Sequence, residues 1–290
     1  MYRTLLFAPG TRPELLNKSQ LGNADALIFD LEDSVAQNAK DEARKNIREA
    51  LHEGSQKPVF LRINHPRAGD TKADLEIIAS LSTHQNIAGV ILPKAELVSD
   101  IEQLDRQLQD IESRCALAQD SLAILPLVET CLGLRNTFDL ANGSSRICGM
   151  SLASAEQGDF MVDLGGKWTP RSLALTYPRS KMVIDARASG LQWLVDGVFI
   201  NLKDLDALRA ECLIAQELGF VGKMAIHPTQ VDIMHEVFTP STEEIEFARG
   251  LISTFEEAEA RGQGAVRYQG MMIDYANVRL AKRTLAMAQR

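Results

Sequence analysis

The sequence predicts a (β/α)8 barrel, a TIM barrel, with a C-terminal extension of helix, hairpin and helix. Two observations lead there. Eight short apolar runs recur between residues 4 and 228, most of them without the alternation of a one-sided strand; such runs suit parallel strands covered on both faces. Amphipathic helical segments separate them, and strands alternating with helices build right-handed βαβ units. Eight such units close into a barrel of ~250 residues, with the active site at the C-terminal ends of the strands. A doubly wound open sheet is the alternative arrangement.

In chain order the runs are TLLFAP (4–9), ALIFDLE (26–32), VFLRIN (59–64), GVILPK (89–94), AILPLVE (123–129), ICGMSL (147–152), GVFIN (197–201) and KMAIHP (223–228). Residues 40–53 read as a helix with Ala43, Ile47, Ala50 and Leu51 on one face, the stripe a covering helix turns to its core. Residues 98–114 repeat the pattern through Ile101, Leu104, Leu108 and Ile111, and 204–220 form a third helix closed by Gly219 as a C-cap. These elements make a barrel domain of residues 1–240. The extension, 241–290, starts with a helix over 241–262, where Ser241 and Glu244 form a capping box. A tight hairpin over 264–274 and a final helix over 275–289 complete it.

Composition narrows the function. Hydrophobic residues make up 45% and charged residues 24%, as in an ordinary globular protein. No window approaches the 18 or more uninterrupted apolar residues of a membrane span, and the apolar start is too brief for a signal peptide. Cys115, Cys131, Cys148 and Cys212 lie far apart, which argues against a zinc site or a disulfide framework and points to a reducing cytoplasm. The net charge of −8 disfavours nucleic-acid binding.

The strand ends carry the polar residues. They present Asp30, Glu32 and Asp33, then Arg62 and Asn64, Lys94, Glu129, the loop from Ser151 to Asp159, Asn201 and His227. Glu129 and Asp159 come from the adjacent ends of strands five and six, as a two-carboxylate Mg²⁺ site requires; Glu129 as a helix-capping acid is the rival reading. Glu156 and Asp163 compete with Asp159, and spacing alone does not choose. Arg62 closes an apolar strand, where a lone cation is costly. It reads as an ion pair with the 30–33 carboxylates, as a bidentate clamp for a substrate carboxylate, or as both, oriented by Glu32 or Asp33. Lys94 reads as a solvated lysine at a helix start, with a Schiff-base nucleophile as the rival. His227-Pro228 reads as a structural turn.

Ten ordered blocks, among them LLFAPGTRPE, DALIFDLEDSV, VILPKAE, LPLVETCLGLRN, SLASAEQGDFMVDLG, YPRSKMVIDARASGLQ, LGFVGKMAIHPTQ and GMMID, resemble the citrate lyase β-subunit and its relatives, the malyl-CoA and citramalyl-CoA lyases. The resemblance runs from about residue 3 to residue 285. It implies a trimeric barrel and Mg²⁺-dependent carbon–carbon cleavage of 3-hydroxyacyl thioesters, with Mn²⁺ as a substitute ion. It puts the metal on Glu129 and Asp159, with Glu156 a lesser candidate because SAEQG departs from the family's glycine-alanine-glutamate run. Arg62 falls on the arginine that binds the substrate carboxylate. Arg12 and Lys18 fall on the basic positions that hold coenzyme A phosphates. Asp274 falls on the aspartate that reaches a neighbouring subunit's active site and handles the proton of the thioester enolate, although Met271 replaces the usual lysine. Read without the resemblance, Asp274 is the N-cap of the final helix.

The expected reaction is a retro-Claisen cleavage to a 2-keto acid and acetyl-CoA. Glu32 and Asp33 are expected to support it, orienting Arg62 and water on the metal. A citryl-thioester-cleaving subunit that works with acyl-carrier and transferase subunits, a malyl-CoA thioesterase and a catalytically silent scaffold subunit are the alternatives.

Overall fold

The computed structural model describes residues 1–170 and 173–288. The chain divides into two compact units, one of Tyr2–His235 and one of Met1 with Glu236–Arg290.

The first unit is a closed barrel of eight parallel strands in sequential order. The strands are β1 (Thr4–Pro9), β2 (Ala26–Asp30), β3 (Val59–Arg62), β4 (Ile87–Leu92), β5 (Ala123–Val128), β6 (Met150–Leu152), β7 (Leu194–Asp196) and β8 (Gly222–Ala225), and β1 pairs with β8 to close the ring. Their residues are almost all buried, as expected of strands with side chains inside the barrel and helices outside. Helices Lys40–Ala50, Val98–Arg114 and Leu205–Glu217 occupy the three predicted helical stretches. Gly219 follows the last of these at φ +107, the left-handed conformation that glycine accepts without steric cost. At the N-terminal ends of the strands, Tyr2, Phe60 and Trp193 pack with ring centroids 5.4–6.2 Å apart. Trp193 Nε1 donates to the Tyr2 carbonyl at 2.9 Å. No described helix is long and apolar enough to cross a membrane.

The seventh strand corrects the sequence reading. It is Leu194–Asp196, not 197–201, because a carboxylate does sit inside this strand. Asp196 is fully buried and accepts from Arg179 at 3.0 and 2.8 Å, from Lys223 at 2.6 Å and from Ser154 at 2.8 Å. Glu211 completes the buried group, 2.9 Å from both Arg179 and Lys223. Two acids facing two bases let the strand carry an aspartate that would be prohibitively costly alone. Gly197 then turns the chain against the neighbouring loop, where a Cβ would stand 2.4 Å from the Ser154 nitrogen.

The second unit contains the helix Thr242–Glu259, the antiparallel pair β9 (Val266–Tyr268) and β10 (Met271–Ile273), and the helix Tyr275–Ala288. Ser241 and Glu244 form the capping box: Glu244 N–H donates to Ser241 Oγ at 3.2 Å and Ser241 N–H to Glu244 Oε2 at 2.7 Å. Gln269 and Gly270 turn the hairpin at φ +47 and +83, a pair of positive angles suited to a two-residue hairpin turn. Ala248, Leu251, Phe255, Ile273, Val278 and Ala281 form this unit's own core.

Candidate active site

The C-terminal ends of the barrel strands enclose a cavity of about 320 Å³. Its walls alternate with the strand pleat: Phe7 and Pro9 from β1, Leu127 and Glu129 at the end of β5, and Met224 and Ile226 at the end of β8 all face it. Asp30, Asp33, Arg62 and Asp159 bring charge to this otherwise largely apolar pocket.

Arg62 and Asp30 are partners because the barrel register makes them neighbours. They are the last residues of adjacent strands and lie opposite one another in the β2–β3 pairing. Arg62 donates from Nε and Nη2 to Asp30 at 2.6 and 2.7 Å, and its Nη1 is 3.2 Å from Glu32. The Phe7 ring packs against the guanidinium, 5.0 Å from its centroid, a cation–π contact. Asp30 also accepts from Ser34 Oγ at 2.5 Å and from the Glu32 N–H at 3.0 Å. Burial is the largest influence on Asp30 and disfavours its charge, but Arg62 outweighs it and holds the carboxyl below its usual range. Of the two carboxylates expected to orient Arg62, Glu32 contacts it and Asp33 does not, and the main partner is Asp30. Asp30 grips the fork, Glu32 assists, and Asp33 lies elsewhere.

Asp33 instead joins Glu129 and Asp159. One oxygen from each of these three lies within 4.8 Å of the others. Glu129 follows β5 directly and is 4% exposed. Burial pushes its carboxyl up to about 7, against the pull of Arg62. Asp159 opens the helix Asp159–Leu164, whose N-terminal dipole favours a negative charge. An all-carboxylate donor set with one member starved of solvation suits a hard divalent cation such as Mg²⁺ or Mn²⁺.

Lys94 corrects a second expectation. It is not a solvated helix-start lysine. Its Nζ lies 2.5 Å from Glu32, 3.0 Å from Asp33 and 3.3 Å from Asp159, and its backbone N–H donates to Glu129 at 3.0 Å. Burial alone would lower its pKa, but Glu32 and Asp33 raise it well above the usual lysine range. An ammonium held charged in this way is the opposite of the free amine that imine chemistry needs.

The remaining candidates are dispersed. Glu156 is exposed and is absent from the cavity wall. Asp163 accepts from the Cys131 N–H at 2.6 Å, at the start of the short helix Cys131–Arg135. His227 caps the turn Pro228–Gln230, accepting from the Thr229 N–H at 3.3 Å. Arg12 and Lys18 are exposed at the two ends of the helix Pro13–Gln20, which follows β1, and Arg12 pairs with Glu14 at 2.5 Å. Asp274 belongs to the C-terminal unit. It is exposed there and accepts from the Ala276 N–H at 2.8 Å, capping the last helix.

The chain is similar to known proteins along its whole length. A (3S)-malyl-CoA thioesterase of Cereibacter sphaeroides is 34% identical over 290 residues, covering 99% of this chain and 95% of the relative. The citrate lyase subunit beta of Leuconostoc mesenteroides subsp. cremoris is 32% identical over 288 residues, covering 99% and 93%. Among solved structures, CitE from Mycobacterium tuberculosis in complex with magnesium, acetoacetate and coenzyme A superposes with a TM-score of 0.77 at 26% identity, covering 100% of this chain and 98% of that one. A Burkholderia xenovorans LB400 structure described as a citrate lyase has the same fold, with a TM-score of 0.83 at 21% identity and coverage of 100% and 92%. The family profile itself matches residues 3–228, the span that contains every strand of the barrel and every charged group of its cavity, and on that basis the chain belongs to the HpcH/HpaI aldolase/citrate lyase family.

Proposed function

We propose that this protein is a Mg²⁺-dependent carbon–carbon lyase. It would cleave a 3-hydroxyacyl-CoA thioester of the citramalyl-CoA or malyl-CoA type to a 2-keto acid and acetyl-CoA. The observation that carries the reading is the pairing, within one cavity, of an arginine fork on Asp30 with the carboxylates of Asp33, Glu129 and Asp159. The CitE structure, which holds magnesium, acetoacetate and coenzyme A together on a related barrel, supports it.

Glu129 and Asp159 would hold the ion, with Asp33 within reach of it directly or through water. When bound, Mg²⁺ would act as a Lewis acid toward the substrate's hydroxyl and carboxylate oxygens. Arg62 would bind the substrate carboxylate. Asp30 takes two of its five N–H donors and fixes the plane of the guanidinium, leaving donors on the far edge to form charge-assisted bonds. Phe7, Leu127 and Met224 in the cavity wall would exclude water from the reacting bond. Arg12 and Lys18 would meet the phosphates of coenzyme A. Asp274 would come from a second copy of the chain in a trimer, the extension packing on its neighbour, and would deliver the proton to the α-carbon of the departing acetyl thioester. A positioned general acid contributes ~10²–10⁴-fold. The free cysteines suit a reducing cytoplasm.

Hydrolysis is the second reading, and malyl-CoA thioesterases at 34–35% identity favour it. A citryl-thioester lyase subunit that receives its substrate on an acyl carrier is the third, supported by the citrate lyase relatives. A panel of short hydroxyacyl-CoA esters with Mg²⁺, read for both keto acid and free thiol, separates them. Keto acid without free thiol supports the lyase, and free thiol without accumulating keto acid supports simple hydrolysis. Neither product from any CoA ester in the absence of partner subunits points to the carrier-dependent enzyme.

A further inference from the structure

Lys94 is the residue on which the candidate ion site converges. Its ammonium contacts Asp33 and Asp159 at 3.0 and 3.3 Å, and its backbone N–H donates to Glu129 at 3.0 Å. All three carboxylates are therefore held by one residue, two through its charge and one through its main chain. Its third ionic contact, at 2.5 Å, is Glu32, which in turn faces Arg62 at 3.2 Å. The backbone adopts φ +47 to bring both groups to bear, a left-handed conformation that costs a side-chain-bearing residue about 1 kcal/mol. A monovalent cation already shared by Asp33 and Asp159 sits beside the same carboxylates that a divalent ion must approach. Cations a few ångströms apart repel strongly in a partly desolvated site.

We propose that Lys94 is a resident counter-cation that competes with the divalent ion. It keeps Asp33 and Asp159 together before the ion arrives, releases both when the ion binds, and stays on Glu32. The inference rests on the metal-dependent reading above and extends it to the order of binding. With Arg62, Lys94 and the ion all present, the site welcomes an anionic substrate. By linkage, that substrate must tighten the ion in return. Lys94 thereby keeps the ion loosely held until a carboxylate ligand joins it. It is a positioning residue, because it acts through Asp33 and Asp159.

Full-length wild type, Lys94→Met and Lys94→Arg would be titrated with Mn²⁺, following free ion by electron paramagnetic resonance, with and without pyruvate as a small 2-keto acid. Lys94→Met should bind Mn²⁺ about tenfold more tightly than wild type, and pyruvate should add less to its affinity. Lys94→Arg, which keeps the charge, should stay close to wild type. Equal or weaker Mn²⁺ binding by a folded Lys94→Met would overturn the competition while leaving the metal site intact. No Mn²⁺ binding by wild type would overturn the metal-dependent function, and this inference with it. Should Lys94→Met not fold, wild type labelled with ¹⁵N-lysine supplies the test. Its Lys94 ammonium resonance should move on Mg²⁺ saturation, and an unmoved resonance overturns the proposal.

Discussion

Replacing Asp30 by asparagine separates the structural and functional claims made for Arg62. Asp30 is 1% exposed and accepts four close hydrogen bonds, from Arg62 Nε and Nη2, Ser34 Oγ and the Glu32 N–H, at 2.5–3.0 Å. Asparagine keeps the shape but turns one acceptor into a donor facing a guanidinium that only donates. Removing one partner of a buried ion pair costs roughly 3–5 kcal/mol because the other charge is left uncompensated. Here Glu32, 3.2 Å from Nη1, still offsets part of that charge, which places the loss near the lower end, about 3 kcal/mol. Urea unfolding of the full chain should show this as a lower midpoint with an unchanged slope. In turnover assays KM for the hydroxyacyl ester should rise more than kcat falls, because the guanidinium keeps its charge and loses its fixed plane. Ser34→Ala, which removes a single bond to Asp30, should cost only about 1 kcal/mol. A loss below about 1 kcal/mol in Asp30→Asn, the level of an exposed pair, would refute the claim that Asp30 fixes Arg62.

Further outcomes concern Glu129, Asp274 and Asp196. Glu129 is pushed up to about 7 by burial and must be ionised to hold a cation, so Mn²⁺ affinity should be full above that pH and fall about tenfold per unit below it. In the ion-free protein the same shift has the opposite sign: the folded state holds the proton more tightly, so stability should fall as pH rises from the unfolded carboxyl range toward 7. Asp274→Asn should abolish turnover while preserving CoA-ester binding, and mixing it with Glu129→Gln chains should restore activity if Asp274 serves a neighbour's site. Asp196→Asn leaves Arg179 and Lys223, both fully buried, facing Glu211 alone, and should lower barrel stability by about 3–5 kcal/mol in urea unfolding.

The barrel was legible because its strands are continuous apolar runs punctuated by charge. ALIFD ends at Asp30 and VFLR at Arg62, and the polar break marks the rim. The same logic misplaced β7, since Asp196 looks like an interruption until Arg179, Lys223 and Glu211 are known to surround it. Those partners lie 17, 27 and 15 positions away along the chain, and nothing local reveals them. Among the candidate site residues, the proximity of Glu129 and Asp159 is readable from neighbouring strand ends. Choosing Asp30 as the partner of Arg62 needed the strand register, which the two strand ends could have supplied had they been aligned. The contacts of Lys94 are hidden in the sequence because a left-handed backbone redirects its side chain, and Pro93-Lys94-Ala95 carries no glycine or asparagine to signal such a turn.

On the reading proposed above, Asp33, Glu129 and Asp159 form a divalent-cation site on which the chemistry depends. The decisive experiment titrates full-length wild type and Glu129→Gln with Mn²⁺ under electron paramagnetic resonance, at a pH above 7.5. Wild type should bind one Mn²⁺ per chain, displaced by Mg²⁺, and Glu129→Gln should bind it at least about tenfold more weakly. Equal binding by the two proteins would rule out Glu129 as a ligand of the ion.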